Sequence, residues 1–309
     1  CSFRSLSGGD LDADGDMDYV VGNFGLNQYF KCSREEPLRI YGKDFDNNGS
    51  YDAFISCYFP DSAGRHHEYF FHNKEDMQKQ LILIRRKYER YADFGRATVQ
   101  EVFTPEEMKG VNVLTANFMQ SVWVENRGNG QFALHPLPVQ AQFAPVYGIQ
   151  VVDVNEDDLS DIVLVGNDFG MEVGQGRADA LNGLVLINQG NHDWKALSFE
   201  ESGFLVPGDA KALAQVNIKG EPYLMATQNR RALSLFKIVA PADRLLKLSP
   251  QETSALVKFS KDKSQYVEFP WGSTFLSQNS RTWLKPRIYQ SIEIKDRQGH
   301  STRKLDFSK

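Results

Sequence analysis

Three nine-residue stretches place oxygen-bearing side chains at alternate positions: DLDADGDMD (10–18), DFDNNGSYD (44–52) and DVNEDDLSD (153–161). Together they hold thirteen of the chain's 40 acidic residues, a crowding that calls for a counter-ion. Positions 1, 3, 5 and 9 are Asp10, Asp12, Asp14 and Asp18 in the first stretch. They are Asp44, Asp46, Asn48 and Asp52 in the second, and Asp153, Asn155, Asp157 and Asp161 in the third. Ca²⁺ is a hard cation that takes six to eight oxygens, and a tightly wound loop turns alternate side chains toward one centre. Position 7 (Asp16, Ser50 and Leu159) can add a backbone carbonyl. Gly15 and Gly49 at position 6 permit the sharp turn, whereas Asp158 stands there in the third loop and predicts its weakest site. Up to three structural calcium ions are expected, and they would move the formal charge from −5 to about +1.

An EF-hand begins in the same way but needs a bidentate Glu at position 12 and flanking helices. Position 12 here is Val21, Ile55 and Leu164, inside apolar runs of strand character. The stretches are therefore expected to be short metal loops leading into strands at Tyr19–Val21, Ala53–Ile55 and Ile162–Leu164. A copy without carboxylates follows, with Gln215, Lys219 and Tyr223 where Asp153, Asp157 and Asp161 stood. A further copy without a loop is expected from Val113 to Phe132. Short strands and Gly/Asn turns at such intervals point to propeller blades.

Two segments break the pattern. Met77, Leu81, Ile84, Tyr88 and Tyr91 recur at helical spacing, Gly95 can end a helix, and Thr104-Pro105-Glu106-Glu107 reads as a capping box. A helical insertion at about 74–110 is expected to interrupt one blade. Pro241 to Pro250 reads as a linker, followed by alternating runs at 254–259, 265–269 and 288–294 that predict a small β module.

The loops and the strands after them resemble FG-GAP/VCBS repeats, the calcium-loop blades of integrin-type β-propellers. The similarity covers most of residues 1–240 and includes GNFGLN (22–27), AQFAPVYGI (141–149) and RADALNGLVLINQG (177–190). WGSTFLSQNSR (271–281) with IEIKDRQG (292–299) resembles the ASPIC/UnbV module that often follows such repeats. The resemblance implies a mainly β chain: a partial propeller of a family usually seven-bladed over 1–240, then a linker and β module over 241–309. It also implies an extracytoplasmic address, at the cell surface, associated with the outer membrane or secreted, in a Gram-negative bacterium of the Bacteroidetes type. Millimolar external calcium suits loops of modest affinity in the same way. Cys1 reads either as an acylated cysteine or as the start of a fragment cut within a propeller, and Cys32 and Cys57 as a possible pair.

The mildly acidic balance argues against a nucleic-acid partner. No run of 18 apolar residues spans a membrane. No G-x-S-x-G, phosphate loop or H-E-x-x-H occurs. His66, His67 and His72 read as surface residues, and Glu68, Asp168, Glu172 and Asp179 as the candidates for a glycosidase pair. The leading expectation is a non-enzymatic binding or scaffold module for a glycan or protein ligand. The alternatives are a glycan hydrolase or lyase, and an adhesion protein whose ion holds a partner's carboxylate. Ligand-binding candidates are Asn23, Asn27, Asn167, Asp168, Asn229 and Arg230. They occupy the turns after the loop-bearing strands, which in successive blades would gather on one face; the alternative is that they satisfy tight turns.

Overall fold

The computed structural model describes residues 3–172, 174–272 and 274–307. Cys1, and Ser273 within the ASPIC/UnbV-like stretch, lie outside them. The chain is mainly β, 39% strand against 11% helix, and its sheets are antiparallel. It divides into two compact units, residues 29–119 and residues 3–28 with 120–309, so the larger unit keeps the C-terminal stretch with the sheets that carry the first and third acidic stretches.

In the larger unit, β1 (Ser5–Gly9) and β2 (Asp18–Gly22) form a hairpin. The chain then leaves this sheet to build the whole smaller unit. There, β3 (Leu38–Lys43), β4 (Asp52–Pro60) and β5 (His66–Phe70) form a meander. Four short helices follow: α1 (Lys74–Gln80), α2 (Leu83–Lys87), α3 (Tyr91–Arg96) and α4 (Val99–Val102). The last strand of this unit, β6 (Asn112–Ala116), returns beside β3. The chain re-enters the first sheet as β7 (Val122–Asn126) and β8 (Phe132–Pro136), completing the order β1-β2-β7-β8.

Two expectations are corrected here. The stretch from Val113 to Phe132 is not one repeat, because Val113 lies in β6 of one sheet and Phe132 in β8 of another. The interruption of the first sheet is also larger than a helical insertion: a complete sheet with its own acidic loop sits between β2 and β7. The helical part is four short pieces over 74–102 rather than a helix running to Gly95 and another opening at Thr104. The chain turns extended at Leu81 and again at Tyr88, and this lets Phe94, Val99, Val102 and Phe103 share a core with Met77, Leu81 and Ile84. A single rod would have left Tyr91, which is exposed, on that apolar stripe. Thr104 and Glu107 do hydrogen-bond reciprocally, but over a turn; the capping box that opens a helix is Thr98 with Glu101.

The next sheet of the larger unit is a meander of β9 (Val146–Val152), β10 (Asp161–Gly166), β11 (Leu184–Asn188) and β12 (Trp194–Leu197), followed by a helical turn, α5 (Phe199–Ser202). A third sheet holds β13 (Ala210–Ile218), β14 (Glu221–Gln228) and β15 (Ser234–Lys237). The first strands of the three sheets lie side by side, β1 against β9 and β9 against β13. Where they meet, side chains are excluded: a Cβ on Gly9 would come within 2.5 Å of Val151, and one on Gly148 within 2.8 Å of Leu213. Every residue of β10 is buried. Ile162 and Leu164 enter the core shared with Val20 and Trp123 of the first sheet, and Val163 and Val165 enter the core shared with Leu213 and Leu224 of the third. A strand covered on both faces has no polar side, which accounts for its unbroken apolar run.

The C-terminal stretch, part of the larger unit, is also β. β16 (Leu245–Lys247) pairs with β19 (Thr282–Leu284). β17 (Ser254–Lys258), β18 (Ser264–Glu268), β20 (Ser291–Lys295) and β21 (Ser301–Asp306) form a four-stranded sheet over Ala255, Val257, Ile292 and Ile294.

Candidate metal loops and polar clusters

All three acidic stretches connect the first and second strands of a meander, at one register. Position 9 pairs across the ladder with the residue before position 1: Gly9 with Asp18, Lys43 with Asp52, and Val152 with Asp161. In the copy without carboxylates the same hairpin closes through Lys219 and Gly220, between Ile218 and Glu221. There the ladder continues through the aligned stretch, with Tyr223 opposite Val216, so the residues that form a loop in the acidic copies are strand in this one.

The loops are held by closely similar internal bonds, the second using the position 5 N–H where the others use position 4. The position 2 side chain anchors each loop in a core: Leu11, Phe45 and Val154 pack into three different apolar clusters. The position 2 N–H donates to the position 9 carboxylate, Leu11 to Asp18 at 2.9 Å, Phe45 to Asp52 at 3.1 Å and Val154 to Asp161 at 2.9 Å. The position 1 carboxylate accepts from loop N–H groups: Asp10 from Ala13 and Gly15, Asp44 from Asn48 and Gly49, Asp153 from Glu156 and Asp158. Position 6 has positive φ in every loop, at Gly15, Gly49 and Asp158. So has position 4, at Ala13, Asn47 and Glu156, which nothing in the residue types of Ala13 or Glu156 announces. Gly15 is required twice over, since its φ is 101° and a Cβ there would lie 2.0 Å from the Ser264 carbonyl oxygen; its own carbonyl accepts from Tyr266 N–H.

The loops differ in what fills their centres. Oxygens of Asp10, Asp12 and Asp18 lie within 4.8 Å of one another, and so do those of Asp44, Asp46 and Asp52. Burial, joined by repulsion from Asp12 and Asp14, pushes the Asp10 and Asp18 carboxyls up to about 6. Burial also raises Asp52, with Asp46 and Asp44 adding to it. Asp16 Oδ1 is buried without a hydrogen-bond partner. A converging all-oxygen donor set with an orphaned buried oxygen fits a hard divalent cation.

The third loop already contains a cation. Arg244 Nη2 lies 2.9 Å from Asp153 Oδ2 and 3.6 Å from Asp158 Oδ1, and the arginine side chain is 4% exposed. Arg287 donates its N–H to Asp158 Oδ1 and its Nη1 to the Glu156 carbonyl. Asn155 turns its amide nitrogen to Asp157 Oδ2, 2.8 Å away, rather than leaving both groups to an ion. The expected linker is therefore no loose tether: a 3-10 turn at Ala242–Arg244 carries that guanidinium into the loop.

Asn126 and Asn188, which are not among the expected metal ligands, end the third strands β7 and β11. The Asn126 N–H donates to Asp18 Oδ1 at 2.8 Å and the Asn188 N–H to Asp161 Oδ1 at 2.9 Å. The Asn126 side-chain amide donates to the Met17 carbonyl, that of Asn188 to the Ser160 carbonyl and, at 2.7 Å, to the Leu11 carbonyl of the first loop, and their amide oxygens accept from Gly128 and Gly190. The signal was legible as an Asn-x-Gly-Asn turn occurring twice, at 126–129 and 188–191.

Among the ligand-binding candidates, Asn23 and Asn167 are fully buried. Asn23 Nδ2 donates to the Gln120 carbonyl, and Asn167 Nδ2 to the Leu181 and Gly208 carbonyls. Both hold turns together rather than facing a ligand. Asn27 donates to the Phe143 carbonyl, and Arg230 is exposed at a left-handed turn position. Asp168 and Asn229 do join one polar cluster. The Tyr147 hydroxyl donates to Asp168 at 2.6 Å, Lys211 lies 2.9 Å from Asp209 and 3.7 Å from Asp168, and Asn229 reaches Asp209. Lys211 Nζ also stands 3.7 Å above the Tyr147 ring. Burial favours a protonated Asp168, but the Tyr147 hydroxyl and Lys211 outweigh it and lower the pKa. Glu68 is tied to Arg39, Tyr41 and Ser56, while Glu172 and Asp179 are exposed. His66 and His67 pair with Glu36 and Asp61, His72 packs on Phe54 and Phe71, and Cys32 and Cys57 are both free thiols.

A cavity of about 390 Å³ lies in the larger unit between the first and third loops and the C-terminal stretch. Gln215, Arg244, Arg281 and Thr282 line it, and each has a buried donor atom with no hydrogen-bond partner among the described residues. No helix among those residues is long and apolar enough to cross a membrane. Comparison of the chain with family models, with curated proteins and with solved structures finds no match.

Proposed function

We propose that this chain is a calcium-braced β-propeller segment of the FG-GAP/VCBS kind, a non-enzymatic binding or scaffold module that works outside the cytoplasm on a glycan or protein ligand. The observation that carries the reading is the repeated loop: one register, the same hydrogen bond from the position 2 N–H to the position 9 carboxylate, and carboxylates that converge in loops 10–18 and 44–52. Three antiparallel sheets with their first strands side by side support the blade assignment. Calcium would be held in the first loop by Asp10, Asp12, Asp14, Asp16 and Asp18, and in the second by Asp44, Asp46, Asn48, Ser50 and Asp52. The ion's contribution is folding energy, since it replaces mutual repulsion of buried carboxylates with attraction. The third loop is braced by Arg244 instead, so the proposal is two ions rather than three.

For the ligand, the cavity lined by Gln215, Arg244, Arg281 and Thr282 is the better candidate, because its unpartnered donors suit a polar, oxygen-rich guest such as a sugar. Asp168, one of the glycosidase candidates, is held ionised by the Tyr147 hydroxyl and Lys211 and so does not suit the general-acid role. Calorimetric titration of calcium-stripped protein should show two ions bound, with the melting temperature rising by several degrees. Asp18→Asn should remove one ion from that count. A melting temperature indifferent to calcium would refute the structural-ion reading.

A further inference from the structure

A second cation chemistry lies beside the first calcium loop. Glu125 near the end of β7, His135 on β8 and His192 in the turn between β11 and β12 each present one ligand atom, all within 4.8 Å of one another. We propose that these three side chains bind one divalent transition cation of the zinc class. Two imidazoles and a carboxylate suit zinc, with the remaining position left to water, while calcium takes oxygen ligands and has little use for imidazole.

The site is built as well as clustered. His135 stacks on the buried Trp123 with ring centroids 4.5 Å apart, which fixes the plane of its ring. Its Nε2 is 2.7 Å from Glu125 Oε2. His192 meets both rings edge-on, at 5.0 Å from Trp123 and 5.4 Å from His135. Tetrahedral zinc with bonds of about 2.1 Å sets its ligand atoms about 3.4 Å apart. Glu125 and His135 need to part slightly and His192 to close in, which its exposed place on a turn permits. Arg127 holds Glu125 Oε2 through Nε and Nη2, so it can stay as the outer partner that orients the carboxylate. Because His192 follows β11 of one sheet while Glu125 and His135 belong to the neighbouring sheet, the ion would bridge the two.

The inference does not rest on the calcium reading, since the ligand sets are different. The test is calorimetric titration of the calcium-saturated full chain with Zn²⁺, repeated with Co²⁺ and read by its visible ligand-field absorption. One saturable zinc ion is expected, with a rise in melting temperature. His192→Ala and His135→Gln should each weaken binding about tenfold or more and abolish the cobalt bands, while His66→Gln with His67→Gln should leave both unchanged. His192 is exposed, so His192→Ala in calcium without zinc should melt with the parent. Absence of saturable zinc uptake, or uptake that persists undiminished in His192→Ala, overturns the proposal.

Discussion

The loops at 10–18 and 153–161 share a unit, a register, a left-handed pair at positions 4 and 6 and an asparagine bracing the position 9 carboxylate. They differ in one respect. The first leaves Asp10, Asp12 and Asp18 facing one another, and the third admits Arg244. One backbone can thus be neutralised by a diffusible ion or by a guanidinium covalently part of the chain. With the ion we propose, the first solution would tie stability to the surrounding calcium; the second needs none but depends on a residue 91 positions away. Asp158 fits the second: in place of glycine it accepts a left-handed φ of 65° and gains Arg287 N–H and Arg244 as partners.

The largest effect should come from Arg244→Leu. Breaking a buried pair by removing one partner costs about 3–5 kcal/mol. Without calcium we expect a loss of that order in urea unfolding, and with millimolar calcium a partial recovery as the vacated loop takes an ion. Equal stability of variant and parent would erase the distinction between the loops. A smaller effect is expected from pH. Asp10, Asp18 and Asp161 titrate near 6, 6 and 7 in the folded chain against an ordinary value of 3.8, burial being the first cause. Their protonated forms favour folding, so this stability is fully present below about pH 3.8 and lost as pH rises through 6 to 7. Calcium-stripped protein should therefore melt higher at pH 5 than at pH 8. Calcium should flatten the trend by holding the first loop's carboxylates charged, leaving the share due to Asp161. A melting temperature rising from pH 5 to pH 8 without calcium would contradict this. The smallest effects belong to Asn126→Ala and Asn188→Ala, which keep the backbone donor and lose the side-chain amide, for about 1–2 kcal/mol each. Both should also weaken calcium binding to the first loop, because Asn126 Nδ2 holds the Met17 carbonyl and Asn188 Nδ2 the Leu11 carbonyl at 2.7 Å; calcium affinity unchanged in both would assign the ion to the wrong loop.

Local residue types were enough to locate the acidic loops, the strands after them, the left-handed position 6 and the C-terminal β module, because each depends on neighbours within about ten residues. The anchor at position 2 was legible for the same reason: Leu11, Phe45 and Val154 are apolar residues in acidic surroundings. Partners distant in sequence were not legible. Nothing near Arg244 marks it as the ion of loop 153–161, and nothing near His192 links it to Glu125 and His135, 67 and 57 residues earlier. Nor do the residues before Tyr29 show that the chain leaves its first sheet there and returns at Gln120. The sequence by itself determined where negative charge accumulates and which hairpins carry it. Only the tertiary structure decided how each charge is balanced, because an electrostatic partner is chosen by distance through space, and folding brought Arg244 to one loop while leaving the centre of another to its own carboxylates.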